Sequence, residues 1–131
     1  MTSNPARVPG PVLGLDISGT KLAAGVVTPD GSAHCVIVEP TPKGDWRVAV
    51  RHLFDLGRRA VVRAGLDEPV MAVGIGCVGP LDAPAGVLRC PLHLPGWVDV
   101  PIGRLAAEEF GVPAVLRNDA TAATLAEYRR S

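Results

Sequence analysis

The chain of 131 residues has room for one domain, and its 47% hydrophobic and 20% charged residues are a globular balance that excludes a disordered chain. Thirteen basic and thirteen acidic residues give a net charge of zero, and scattered arginines argue against nucleic acid as a partner. No apolar run approaches the roughly 20 residues of a membrane span, and the N-terminus lacks a signal peptide's apolar core, so we expect a cytoplasmic protein without a membrane partner.

The N-terminal third predicts a tail followed by a small antiparallel sheet. Residues 1–10 hold two prolines and several small polar residues, which predicts a disordered tail before a domain over residues 11–131. Three short apolar runs follow, with a turn signal at Thr28–Gly31, and they predict a three-stranded meander. The three cysteines form no C-x-x-C pair, which favours buried free thiols over disulfides.

The middle of the chain predicts a helix and a crossover to a buried strand. Apolar residues recur at helical spacing between Asp45, a candidate N-cap, and Gly65, a candidate stop. The run "VMAVGIG" (Val70–Gly76) has the length and composition of a buried strand, consistent with a βαβ crossover. A loop rich in glycine and proline follows it.

The last third predicts a second helix, another strand and a third helix. Pro101 stands where a first helical residue would, and the amphipathic helix that it opens ends at Gly111. The run "PAVLRND" then predicts a strand, and "ATAATLAEYRR" predicts a helix. The order βββ-α-β-loop-α-β-α indicates an α/β fold, with a mixed sheet that starts with an antiparallel meander and is flanked by helices.

The stretch "DISGTK" nearly matches a phosphate-binding P-loop, yet it fits a hairpin turn better. A P-loop has Gly-Lys before Ser or Thr and then a helix, whereas Lys21 follows Thr20 and precedes an apolar run of strand length. Backbone N–H groups in such a turn form an anion-binding concavity, and Asp16 could hold Mg²⁺ through water beside phosphate oxygens. The alternative is an ordinary hairpin turn, with Asp and Gly present for their backbone preferences.

Three further segments follow this turn in a fixed order: "GIGCVGPLDAPAG" (Gly74–Gly86), "CPLHLPGWVDVPI" (Cys90–Ile102) and "LRNDATAATLAE" (Leu116–Glu127). Together the four segments resemble the ROK family, named for repressors, open reading frames and kinases, which typically shows D-x-G-G-T-K, G-x-G-x-P-G-P-x-D, N-L-P-G-W and N-D-A-N-A-A. The resemblance covers Val12 to about Tyr128. It implies the N-terminal lobe of the actin-like ATPase fold, which is ribonuclease H-like and shared with hexokinase.

The resemblance implies ATP-dependent phosphorylation of a glucose-like hexose at its 6-hydroxyl, with ATP and Mg²⁺ as cofactors. The turn residues would contact the nucleotide phosphates, with Asp16 near the metal: Asp16, Ser18, Gly19, Thr20 and Lys21. Asn118 would hold sugar hydroxyls, and Asp119 would be the general base, because a nearby carboxylate can accept the alcohol's proton as the γ-phosphoryl departs. Gly79 and His93 belong to segments that would wall the sugar pocket.

Each of these segments also has a purely structural interpretation. Taken alone, Asn118–Asp119 favours a helix N-cap, and the surrounding match reverses that preference. Trp97 could be buried for packing, and Asp82 could stabilise a turn. Cys90-x-x-His93 supplies two ligands, too few for a closed zinc site, which takes four.

The chain departs from the family pattern at Ser18, where glycine is typical, and at His93, where asparagine is. If position 18 needs positive φ, serine would strain the turn by roughly 1–2 kcal/mol. The family's kinases continue into a second lobe with a zinc-binding cysteine cluster and the adenosine pocket, so we expect this chain alone to be inactive. The alternatives are a sugar-sensing regulator of the same family, and an interaction module that forms a homodimer or pairs with a missing second lobe.

Overall fold

The computed structural model describes residues 10–77, 80–89, 91 and 93–118. Their elements are β1 (Val12–Ile17), β2 (Lys21–Val27), β3 (Ala33–Pro40), α1 (Trp46–Ala64), β4 (Ala72–Cys77), β5 (Leu81–Asp82), β6 (Val87–Leu88), α2 (Ile102–Phe110) and β7 (Ala114–Asn118). Neither helix in these ranges is long and apolar enough to cross a bilayer. The predicted third helix lies outside the described residues, as does the predicted tail except for its last residue.

Five strands form one mixed sheet in the order β3-β2-β1-β4-β7. The first three strands pair antiparallel, which confirms the predicted meander, while β4 pairs parallel to β1, and β7 parallel to β4. The strands β1, β4 and β7 therefore end at the same side of the sheet, where Ile17 is in register with Cys77 and Cys77 with Asn118. We call this side the carboxyl edge.

The hydrophobic core lies between the sheet and the two helices. Alternate residues of β1, namely Leu13, Leu15 and Ile17, are fully buried and belong to one cluster with apolar side chains of α1 and α2. Gly57 of α1 faces this cluster, and a Cβ there would come within 3.0 Å of the Leu13 side chain and 3.2 Å of Phe110. Glycine costs helix propensity, but here it lets the helix backbone approach the sheet closely.

The helix α1 begins and ends where the sequence predicts. The Asp45 carboxylate accepts the N–H of Arg47 at 3.0 Å as the N-cap, and this hydrogen bond holds the pKa of Asp45 below its ordinary value. Gly65 ends the helix in the left-handed conformation, with its N–H donating to the Val62 carbonyl at 3.3 Å. Both ends of α1 could be predicted from the sequence because each depends only on neighbouring residues.

The prediction that Pro101 is the first helical residue of α2 was wrong by one position. Pro101 is the N-cap, with ψ at 63°, and the helix starts at Ile102. The first turn is satisfied by more distant backbone, because the N–H of Gly103 donates to the Gly86 carbonyl at 2.9 Å. The end of the helix at Gly111 is confirmed.

The loop after β4 contains a short antiparallel ladder, β5–β6, that the sequence did not predict. Arg89 next to it forms ion pairs with Asp82 at 3.3 Å and with Asp99 at 2.9 Å. Asp82 also accepts the N–H of Ala85 at 3.2 Å, which supports its turn-stabilising interpretation. Trp97 is buried in the main core, which supports the packing interpretation.

Candidate functional site

The β1–β2 turn, residues 18–20, lies at the carboxyl edge and is closed by the side chain of Ser18. The Ser18 N–H donates to the Lys21 carbonyl at 3.0 Å, and the Ser18 hydroxyl oxygen accepts the Lys21 N–H at 3.0 Å. In a regular antiparallel pair the two residues exchange both bonds through their backbones. The hydroxyl therefore replaces the Ser18 carbonyl in one of the two bonds.

Ser18 does not have the positive φ that would strain a serine. Among the described residues, the non-glycine residues with positive φ are Cys35, His93 and Asp99, and Ser18 is not one of them. Serine therefore fits the turn without the cost of a left-handed backbone. The condition for strain, a positive φ at position 18, is therefore not met in this turn.

Gly19 is needed for space rather than for its conformation, since its φ is not positive either. A Cβ at this position would overlap the carbonyl oxygen of His93 and come 2.7 Å from the His93 Cβ. Real Cβ atoms do not approach other atoms so closely, so the chain around residue 93 would have to shift. The predicted phosphate turn and the predicted sugar-wall segment are thus in direct backbone contact.

His93 itself has φ at 69°, in the left-handed region, and its side chain is exposed. Histidine is among the residue types that enter this region more often than most, together with asparagine and aspartate. The backbone conformation of residue 93 therefore explains why a short polar or imidazole side chain suits it.

Thr41 also holds the β1–β2 turn, and sequence reasoning missed it. Among the described residues, Thr41 is the polar residue that is buried, with 8% of its surface exposed. It lies just after β3. Its hydroxyl donates to the Ser18 carbonyl at 2.8 Å, and its N–H donates to the Thr20 carbonyl at 3.1 Å. The only signal in the sequence is a threonine between a strand and a proline, which is too common to single it out.

The remaining surface of the turn offers donors to an anion. Within the described residues, no hydrogen bond uses the backbone N–H of Gly19 or Thr20. Thr20 and Lys21 are exposed, so this part of the chain also carries a hydroxyl and an ammonium group that solvent can reach. Successive backbone N–H groups of this kind form anion-binding concavities.

Asp16 occupies the face of the sheet opposite the helices, because it alternates with core residues along β1. Its neighbours across the sheet are Ala23 and Gly76, which leave room beside the carboxylate. In the described ranges no group of three or more His, Cys, Asp or Glu residues could hold a metal ion. A single protein carboxylate is compatible with Mg²⁺, which keeps several waters and is often bound by one or two carboxylates plus substrate phosphates.

The buried thiol of Cys77 lies at the same edge but is not a nucleophile. Burial, and to a lesser degree the Asp16 carboxylate, raises the pKa of the Cys77 thiol to about 12. A thiol with this pKa is protonated at neutral pH, whereas the thiolate is the reactive form. The Cys77 thiol therefore does not supply a nucleophile at the carboxyl edge.

Asn118 is the last residue of β7, and its backbone is in register with Cys77. It is two strands away from the end of β1, which corresponds to roughly 10 Å at ordinary strand spacing. Only the backbone of Asn118 is described, and Asp119 and Gly79 lie outside the described residues. The end of β7 and the β1–β2 turn thus share one edge, while the roles of these three residues stay predictions.

Known proteins share both this sequence pattern and this fold. The model of the ROK family matches residues 12–131. The curated glucokinase of Streptomyces coelicolor is 32% identical over 123 residues, which cover 92% of this chain and 36% of that protein. This chain therefore spans little more than a third of the length of that relative.

Two solved structures resemble this chain closely. The ROK hexokinase from Thermus thermophilus is 42% identical with a TM-score of 0.75, and the match covers 91% of this chain and 38% of that one. A ROK family glucokinase from Streptomyces griseus, solved in complex with glucose and AMPPNP, is 33% identical with a TM-score of 0.71, covering 92% of this chain and 36% of that one. The resemblance thus extends over nearly all of this chain in both sequence and structure.

Proposed function

The chain belongs to the ROK family and has its actin-like ATPase fold, and from this premise we propose that it is the N-terminal lobe of an ATP-dependent sugar kinase. The reaction is transfer of the γ-phosphoryl group to the 6-hydroxyl of a glucose-like hexose. One observation carries the proposal: the donor-rich β1–β2 turn and the end of β7 lie at the same edge of one sheet. Ligands of α/β sheets bind outside the carboxyl ends of the strands, and a phosphate and an alcohol can meet there.

The β1–β2 turn binds the phosphate end of ATP in this proposal. The amides of Gly19 and Thr20, the Thr20 hydroxyl and the Lys21 ammonium group donate to phosphate oxygens. Asp16 would hold Mg²⁺ through water, and the ion, when bound, neutralises charge on the phosphate oxygens. Phosphoryl transfer depends mostly on positioning and charge stabilisation, which fixed backbone donors supply.

The end of β7 and the two loops beside it bind the accepting sugar. Asp119 accepts the proton of the 6-hydroxyl, because an alcohol is a poor nucleophile until a base takes its proton. Asn118 binds neighbouring sugar hydroxyls, while Gly79 and His93 belong to the walls of the pocket. His93 is suited to this task because its backbone contacts Gly19, so the sugar wall and the phosphate turn keep a fixed separation.

A second lobe completes the active site in this proposal. The support is the length of the relatives, since the chain spans 36% of the curated glucokinase and 38% of the solved hexokinase. Closure of two lobes excludes water and brings the remaining sugar and adenosine contacts into place, so the lobe alone would turn over negligibly. We place the reaction in the cytoplasm, where ATP is available.

The test is a phosphorylation assay on the complete protein that carries this chain, with ATP, Mg²⁺ and a series of hexoses. We expect a hexose 6-phosphate as the product, with glucose among the accepted sugars. Sugar binding without transfer to any hexose would contradict the kinase and favour the regulator. Neither binding nor transfer would favour an interaction module.

A further inference from the structure

The loop between β3 and α1 is hydrogen-bonded to the β1–β2 turn through Thr41. We propose that Thr41 is a positioning residue for phosphoryl transfer: it aims the Gly19 N–H at the phosphate without touching the nucleotide itself. This inference rests on the proposed function. It assigns a role in that function to a residue outside the motifs.

The geometry of the peptide bond carries the argument. The Ser18 carbonyl and the Gly19 N–H belong to the same planar trans peptide unit, so they point in opposite directions. The Thr41 hydroxyl donates to that carbonyl at 2.8 Å, which holds the peptide unit in one orientation. The Gly19 N–H is thereby held away from Thr41, toward the side of the turn where its amide is unused within the described residues.

The second hydrogen bond of Thr41 fixes the other end of the turn. Its N–H donates to the Thr20 carbonyl at 3.1 Å, and the same peptide unit carries the Lys21 N–H, which donates to the Ser18 hydroxyl oxygen at 3.0 Å. Two peptide units on either side of Gly19 are therefore anchored from one residue. Thr41 is 8% exposed, so little water competes for either bond.

Ser18 supports this arrangement. In a regular hairpin the Ser18 carbonyl would accept the Lys21 N–H, and its direction would be set by two donors, Lys21 and Thr41. Here the Ser18 hydroxyl accepts that N–H, and the carbonyl is left for the Thr41 hydroxyl. Donors that are fixed before the reaction cost no reorganisation when charge develops on the phosphoryl group.

The kinetic test uses the complete protein that carries this chain, with Thr41→Val, which keeps the shape and removes the hydroxyl, and Thr41→Ser, which keeps the hydroxyl. We expect Thr41→Val to lower kcat/KM for ATP about tenfold while the KM for the sugar changes less than about twofold. Thr41→Ser should restore most of the loss. Thr28→Val is the matched control, because the Thr28 hydroxyl also donates a hydrogen bond within a turn, to the Asp30 carboxylate, but at the opposite edge of the sheet.

Equal losses in Thr41→Val and Thr41→Ser, or a loss shared equally with Thr28→Val, would overturn the inference. A second measurement separates it from the proposed function: hydrogen exchange of the Lys21 amide, followed by NMR. We expect exchange about tenfold faster in Thr41→Val than in Thr41→Ser. A protein that phosphorylates no sugar would remove the kinase role, whereas unchanged Lys21 exchange in Thr41→Val would remove the anchoring itself.

Discussion

The two turns of the meander are both short hairpin connections, yet they are held in different ways. The β2–β3 turn, residues 28–32, is stabilised from within: Asp30 accepts the hydroxyls of Thr28 and Ser32, both at 2.6 Å, and the Ser32 N–H at 3.0 Å. The β1–β2 turn is closed by Ser18 but is also anchored from outside, by Thr41 and by its contact with the backbone of His93. In the β2–β3 turn the polar groups bind one another and stabilise the fold. In the β1–β2 turn the anchors leave the amides of Gly19 and Thr20 available for a ligand.

The largest effect is expected when the proposed general base at the carboxyl edge is removed. We expect Asp119→Asn in the complete protein to lower kcat by roughly 10²–10⁴ while the KM for the sugar changes little, because the amide cannot accept the alcohol's proton. Steady-state kinetics measure both constants. Asp55→Asn, an exposed carboxylate of α1, is the control, and wild-type turnover in Asp119→Asn would remove the proposed base.

Gly19→Ala tests whether the β1–β2 turn depends on its contact with His93. The new methyl group would overlap residue 93, so we expect a loss of about 1–3 kcal/mol in the free energy of unfolding, measured with urea, and a reduced kcat/KM for ATP. Gly31→Ala in the other turn is matched: its φ is 89° and no atom lies within 4 Å of the added Cβ, so only backbone strain acts. Equal kinetic effects of the two variants would contradict the difference between the turns.

Ser18→Ala tests whether the hydroxyl of Ser18, which stands where glycine is typical of the family, stabilises the β1–β2 turn. The Lys21 N–H loses its acceptor, and we expect a loss of about 0.5–1.5 kcal/mol in the free energy of unfolding. The KM for ATP should rise with it, because the Ser18 carbonyl would then be drawn from Thr41 toward Lys21. A fully stable Ser18→Ala protein with unchanged KM for ATP would show that the hydroxyl does not shape the turn.

The smallest effect is expected in the β2–β3 turn, through the ionisation of Asp30. Hydrogen bonds from Ser32 and Thr28 hold the pKa of this carboxyl well below its ordinary value. A depressed folded-state pKa adds stability that is complete above the unfolded-state pKa of about 3.9 and is lost as the pH falls from there through the folded-state pKa. The stability difference between wild type and Asp30→Asn should therefore shrink below about pH 4 in urea unfolding, with kinetic constants unchanged at neutral pH.

Elements set by neighbouring residues could be predicted from the sequence. The meander, the Asp45 cap and the Gly65 stop each depend on residues a few positions apart, and all three are confirmed. The predicted strand at Val70–Gly76 is present, but it runs from Ala72 to Cys77, because its ends are set by pairing with β1. Boundaries of this kind depend on a partner strand that local patterns do not contain.

Features set by distant residues could not be predicted. Thr41 binds Ser18 across 23 positions of sequence, and the Gly86 carbonyl caps α2 where the sequence pointed to Pro101 as the first helical residue. The turn at Asp16–Lys21 was found as a motif, but the hydrogen bond from the Lys21 N–H to the Ser18 hydroxyl was not predicted. Asp119 and Gly79 were named through resemblance alone and stay predictions.

Gly57 sits far along the chain from the carboxyl edge, yet it helps to determine what happens there. Gly57 has no side chain, so the backbone of α1 packs directly against Leu13 of the central strand. Shifting α1 along the sheet by one residue would bring a larger side chain into the space that Gly57 occupies. The helix therefore packs on the sheet in one position. The segment that leads into α1 begins with Thr41. Because the position of α1 on the sheet is fixed, the position of Thr41 next to the β1–β2 turn is fixed as well.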